Sequence, residues 1–190
     1  PDKDERKQHI QKVIQEVRKL NHVIAEFLDF ARPSPMYPQP TAIAPLVAEA
    51  AFLLTPEMQK VRIEYKERVA PNLEAYIDAE HIKRVMVNLM KNAVQAMRDG
   101  GTLIVQAREE NGQIVVEVVD DGPGISAAVC ERLFEPFFTT KEQGSGLGLA
   151  VVSKAVEESG GRIEIESEEG QGTVCRLWLP QVAETEVEEV

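Results

Sequence analysis

Four prolines within nine residues, Pro33, Pro35, Pro38 and Pro40 in "RPSPMYPQP", constrain this chain more than any other feature. Each proline removes a backbone donor and fixes φ, so no helix runs through the stretch and the chain there is stiff and extended. The linker over 33–40 separates a helical segment over 1–32 from everything that follows. In that segment apolar residues fall at Ile10, Val13, Val17, Leu20, Ile24, Phe27 and Ala31, in alternating steps of three and four. This is a heptad seam, with Lys3, Glu5, Arg6, Lys12, Glu16 and Lys19 mostly off it. Ile14 and Leu28 widen the stripe, which suits a coiled-coil-like helix within a four-helix bundle; the plainer alternative is a helix packed on its own domain. The chain starts at Pro1 in mid-helical sequence and is expected to be a fragment of something longer.

Residues 41–182 are enough for one compact domain with its own core, and the last stretch, 183–190, reads as a solvated acidic tail. The net charge of −11 offers no basic field to nucleic acid or to an anionic membrane surface. Cys130 and Cys175 form neither a metal-like spacing nor a disulfide framework, which fits a cytoplasmic protein. No apolar run is long enough to span a bilayer, so no membrane contact is expected of this stretch of chain.

Patterning beyond the linker predicts a helix at about 43–59, a strand at 61–67, a short strand near 73–77 and a helix at about 79–98, stopped by Asp99-Gly100-Gly101. The stretch "TLIVQAREENGQIVVEVVD" reads as two alternating strands joined at Asn111-Gly112, a strong hairpin turn signal. A long loop follows from Asp121 to about Gly146, then a helix over 147–159 and a closing hairpin, "GRIEIESEEGQGTVCRLWLP". The order has no regular βαβ alternation, so an α+β sandwich with helices on one face of a mixed sheet fits best.

Four short stretches stand out within this frame. In "NLMKNAVQAM", Asn88 and Asn92 are four apart and share one face of the third predicted helix, among Leu89, Ala93, Ala96 and Met97. Asn is a poor helix former, so two on one face ask for a reason. "DDGPGI" places Asp120 at a strand end, with Gly122 and Gly124 freeing the backbone after it; alone, this is an ordinary turn. "GSGLGLA" sets Gly144, Gly146 and Gly148 before a helix, where backbone N–H groups and the helix dipole can meet phosphate; a lone GxGxG is weak. "GQGT", ending at Thr173, is by itself a turn.

In this order and spacing, and with "LFEPFFTTK", the stretches resemble the N box, glycine boxes and F box of sensor histidine kinases, within the superfamily that includes gyrase, Hsp90 and MutL. "RKLNHVIAEFLDFARP" resembles the second helix of the dimerization and phosphoacceptor hairpin, especially in nitrogen-regulator-type sensors. The resemblance covers essentially the whole chain. It implies a Bergerat-type two-layer α/β sandwich over 41–182 that binds ATP and Mg²⁺.

By that resemblance, Asn92 contacts Mg²⁺ directly and Asn88 supports the same ion. A neutral amide oxygen completes the metal's octahedral oxygen shell without repelling the triphosphate. Lys91 reads either as an offset to phosphate charge or as a solvated surface lysine. Gln95 stands where some relatives carry a phosphate-binding cation. Asp120 is implied to accept from the adenine amino group, Gly124 to let the base approach the backbone, and Thr173 to add a hydroxyl near the base. The stretch from Gly122 to Gly146 is expected to be a lid, anchored by Phe134, Phe137 and Phe138. Lys141 is its candidate cation for the γ-phosphate. Gly144, Gly146 and Gly148 shape its end, with Leu147 and Leu149 packing inward.

Gyrase-like and Hsp90-like relatives carry a glutamate general base where this chain has Asn88, which disfavours hydrolysis and favours transfer to a protein group. The implied acceptor is a histidine, with onward relay to a response-regulator receiver domain. His9, His22 and His81 do not match its setting, and His81 reads as a surface residue. The phosphoacceptor is therefore expected upstream of Pro1, leaving this stretch of chain unable to phosphorylate itself. The full protein is expected to homodimerise, and its membrane anchoring stays open. The alternatives are an anti-sigma-type serine kinase, which the heptad helix and linker count against, and a non-catalytic nucleotide-binding module.

Overall fold

The computed structural model describes residues 3–31, 35–141 and 144–182; Pro33 and the acidic tail lie outside the described residues. Helix α1 (Lys3–Ala31) carries the heptad seam as expected. Residues 35–38 have no regular structure. The linker then ends in a strand that patterning did not predict, β1 (Gln39–Ala42), which includes Pro40. It precedes α2 (Ile43–Val61), β2 (Ile63–Val69), β3 (Glu74–Ile77) and α3 (Ala79–Ala96). The hairpin of β4 (Gly101–Glu110) and β5 (Gln113–Asp120) leads into a long loop holding a short helix, α4 (Ala127–Cys130), also unpredicted. Helix α5 (Gly148–Glu158), β6 (Arg162–Glu168) and β7 (Gly172–Pro180) complete the chain.

The main sheet runs β2-β4-β5-β7-β6, with β2 parallel to β4 and every other pair antiparallel. This is the expected α+β layering. Val105, Val116, Val118, Leu177 and Leu179 of the sheet form one core with Leu46, Val47, Leu54, Ile82, Met86, Leu89 and Val156 of the helices. The Asn111-Gly112 turn is as predicted, with φ of 52° and 73° at the two positions that such a hairpin turn requires to be left-handed.

Three boundaries shift for local reasons. The helix expected to end near 59 runs to Val61, and Arg62, at φ 60°, closes it with its N–H on Gln59 O, so the strand starts at Ile63. The asparagine helix stops at Ala96, because Met97 leaves helical geometry while still bonding Ala93 O. Ala96 is exposed and does not pack as its position implies, whereas Leu89, Ala93 and Met97 are buried. β1 escapes patterning because it is short, and its bonds come from β3, with Gln39 opposite Ile77 and Ala42 opposite Glu74.

Candidate nucleotide site

Helix α3 begins at Asp78, whose carboxylate accepts the His81 N–H at 3.1 Å and caps the first turn. Ile82, Val85, Met86, Leu89, Met90, Ala93 and Val94 bury one face. Asn88 and Asn92 sit half-buried at its margin. Asn92 Nδ2 donates to Asn88 Oδ1 at 3.1 Å, which fixes the Asn92 amide and turns its Oδ1 outward. That oxygen accepts from the Lys141 ammonium at 2.7 Å, and Gln95 Oε1 accepts from the same ammonium at 2.7 Å. Two amide oxygens on successive turns thus converge on a positive charge. The Lys141 chain is largely exposed, but its ammonium is crowded: lost hydration, and then the Lys91 charge, lower its pKa from the ordinary lysine value. Helix α5 begins hard against this cluster, since a Cβ on Gly148 would lie 3.0 Å from Asn88 Nδ2.

The second cluster forms where β5 ends. Leu103, Asp120, Thr173 and Ser167 stand opposite one another on β4, β5, β7 and β6, one row across the helix-covered face. Asp120 is buried; burial raises its pKa and Asp121 adds to that, against hydrogen bonds from the Gly122 and Thr173 N–H groups. The Gly122 N–H lies 3.0 Å from Asp120 Oδ1. Gly124, at φ 69°, has no room for a side chain: a Cβ there would come within 1.9 Å of Glu168 O. Pro123 O accepts the Gly170 N–H at 2.7 Å. The "DDGPGI" and "GQGT" stretches are therefore one structure. Gly122 also lies against Ala96 and Met97, one turn past Asn92, so α3 joins the two clusters.

Between the clusters in sequence runs the loop expected to be a lid. Phe137 N–H bonds Gly146 O at 2.9 Å, and Gly146, at φ 70°, presses so closely on Phe137 that a Cβ would sit 2.4 Å from its carbonyl carbon. Gly144 packs on Thr139 and Leu147 is fully buried, as its inward reading requires. Leu149 packs against the core too. Phe137 is 64% exposed and so is not the buried anchor expected of it, whereas Phe138 is half-buried under the Arg132 guanidinium at 4.2 Å. Phe134 is half-buried. His81 is not the surface residue its sequence context implies, being half-buried with Nδ1 3.0 Å from Asp78 Oδ1.

The profile of the histidine kinase-, DNA gyrase B- and HSP90-like ATPases matches residues 77–183, more than half of the chain and the span that holds both clusters. The chain belongs to that family. Among its relatives, the sensor histidine kinase ZraS of Escherichia coli (strain K12) is 34% identical over 171 residues, covering 90% of this chain and 37% of that protein. This chain thus spans well under half the length of the curated relatives it matches. Full-length ShkA, solved in complex with AMPPNP, superposes with a TM-score of 0.83 at 26% identity over 94% of this chain and 39% of its own. The histidine kinase ThkA, solved in complex with the response regulator protein TrrA, gives a TM-score of 0.81 at 26% identity over 96% of this chain and 53% of that one.

The family domain brings together Asn88, Lys91, Asn92 and Lys141 on one side and Asp120, Gly122, Gly124 and Thr173 on the other. Sequence reading missed Ser167 and left Gln95 without a role. A serine in an alternating strand carries no signal of its own; its position opposite Thr173 becomes visible only once the last hairpin is in register.

Proposed function

We propose that this chain is the ATP-binding catalytic part of a sensor histidine kinase. It would transfer the γ-phosphoryl group of ATP to a histidine on a dimerization hairpin, for relay to a response-regulator aspartate. Residues 1–32 would supply the second helix of that hairpin, 33–40 the linker and 41–182 the catalytic domain. The full protein would work as a homodimer with this part in the cytoplasm. Among the described residues no helix is long and apolar enough to cross a membrane.

One observation carries the reading: Asn92 Oδ1 is oriented by Asn88 to receive a cation, and Lys141 occupies that position beside Gln95. The donor set fits Mg²⁺, a hard ion satisfied by neutral oxygens when phosphates bring the charge. When bound, Mg²⁺ supplies charge neutralisation on the phosphates. Asn92 and Asn88 would hold the ion, and Lys141 would move from the amides to the γ-phosphate, stabilising the transferring group. Lys91 adds positive charge nearby. Asp120 would accept from the adenine amino group, with Thr173 beside it in the same row. Gly124 brings the backbone up to the base, and Gly144, Gly146 and Gly148 let the lid end close over the phosphates. Asn88 leaves no carboxylate in the place of the hydrolytic base of gyrase-like relatives, so transfer is favoured over hydrolysis.

Titration calorimetry with ATP tests the site: binding with Mg²⁺ that weakens in EDTA is expected, and no binding in either condition overturns it. Incubation with labelled ATP and a phosphoacceptor hairpin supplied in trans tests the reaction. Acid-labile, base-stable label on the hairpin, passing to a receiver domain, is expected. Acid-stable label would instead identify a serine kinase.

A further inference from the structure

Ser167 is the meeting point of three chain segments. Its Oγ accepts the Ile125 N–H at 2.9 Å, lies 2.8 Å from Gly172 O and lies 2.9 Å from Thr173 Oγ1. A serine hydroxyl has one proton and two lone pairs. The Gly172 carbonyl can only accept, and the Ile125 N–H can only donate, so the Ser167 proton goes to Gly172 O. The remaining lone pair of Ser167 then takes the Thr173 proton. Thr173 is thereby left with an oxygen that can only accept from anything else that reaches it.

We infer that Ser167 is a positioning residue that sets base selectivity, by committing the Thr173 hydroxyl proton and so presenting the base with an acceptor. This rests on the proposed adenine site, in which Asp120 and Thr173 stand side by side in one row with Ser167 directly beyond. Asp120 as a carboxylate also only accepts. Both groups then demand N–H donors from the edge of the base. Adenine brings an amino group there; guanine brings a carbonyl oxygen, which neither group can satisfy, and an unpaired buried acceptor is what produces strong rejection. Without Ser167, the Thr173 hydroxyl is free to rotate and donate, and half of the rejection disappears. The same Ser167 oxygen ties Ile125, just past Gly124, to the last hairpin, so the loop under the base and the polarity of Thr173 are set by one atom.

The test compares calorimetric affinities for ATP and GTP, both with Mg²⁺, in the parent chain, Ser167→Ala and Ser167→Thr, with melting curves to establish folding. The parent chain is expected to prefer ATP. Ser167→Ala is expected to narrow the ATP-to-GTP preference about tenfold, the size of one hydrogen-bond preference, and Ser167→Thr to restore it by keeping the hydroxyl. A purely structural role would weaken both nucleotides alike, and that result, or no change, overturns the inference while leaving the ATP site standing. ATP and GTP binding equally to the parent chain overturns the inference alone. Failure of the parent chain to bind ATP removes the site and the inference together. Should Ser167→Ala not fold, Ser167→Cys, nearly the same size but a weak donor, carries the same comparison.

Discussion

Asp120 is a buried carboxylate whose hydrogen bonds do not make up for its burial. Burial and the neighbouring Asp121 raise its pKa despite the Gly122 and Thr173 N–H groups. A folded-state value above the unfolded one means that the native state binds the proton more tightly. Its contribution to stability is therefore fully present below the unfolded value and lost as pH rises through the folded one. At neutral pH the ionised group costs the fold something. Asp120→Asn is expected to raise Tm at neutral pH while abolishing ATP binding, and scanning calorimetry with a binding titration checks both. A lower Tm would show that the N–H bonds outweigh burial after all. Lys141 makes the complementary case, a cation parked on the amides. Lys141→Met is expected to cut single-turnover phosphotransfer by roughly a hundredfold or more, with a smaller effect on ATP affinity, as for loss of one transition-state donor. Asn88 and Asn92 stood out in the sequence as amides on an apolar helix margin, whereas Asp120 alone read as an ordinary turn and stood out only through the resemblance of the combined stretches. Ser167 and Asp78 sit comfortably in a strand and before a helix. Their telling partners, Ile125 and Tyr37, lie 42 and 41 residues away in the chain.

At the scale of elements, α3 carries half of the site and is held at its start by one carboxylate. Asp78 caps the helix through His81 and also accepts the Tyr37 N–H at 2.9 Å, which pins the end of the linker to the helix bearing Asn88 and Asn92. Burial alone would raise its pKa, but the bonds from Tyr37 and His81 outweigh that and hold it at about 2. The folded value lies below the unfolded one, so its stabilisation is present above the unfolded value and lost as pH falls from 3.8 towards about 2. Asp78→Ala is expected to cost about 1 kcal/mol in urea unfolding at neutral pH, the usual worth of an N-cap. The deficit should shrink across that acid window, and a deficit constant with pH would assign it to packing. Element types were readable from period and turn chemistry, down to the left-handed Asn111-Gly112 turn. Element ends were not, because Arg62 closes its helix in a left-handed conformation where glycine is the usual signal, and Met97 leaves helical geometry with no glycine or proline at that position to mark it. β1 was invisible for a different reason: a four-residue strand containing proline exists only through β3.

For the whole molecule, two surfaces of the fold differ in what they offer a second copy. The outer face of the sheet is closed by its own charges: Glu117, buried in the middle, receives Gln106 at 2.6 Å, Arg176 at 2.8 Å and Arg108 at 2.9 Å. Arg162 covers Trp178 at 3.9 Å from the ring centre. A face so paired offers a second copy little apolar area. Helix α1 is the opposite case. It touches α5, yet Ile10, Val13, Val17, Leu20, Ile24 and Phe27 stay exposed along one stripe, Val13 to 62%. An apolar heptad stripe of that length is costly to leave in water and matches the seam of a helical bundle. The chain is therefore expected to associate in a concentration-dependent way by sedimentation velocity, and Val17→Glu with Leu20→Glu to shift it to monomer. ATP binding should survive that change, because Val17 and Leu20 are exposed on α1 whereas Asn92 and Asp120 belong to α3 and β5. A parent chain that stays monomeric at every concentration would overturn self-association through α1. An associating chain that ignores both substitutions would move the interface off α1 altogether, to the exposed Phe52 and Leu53 of α2.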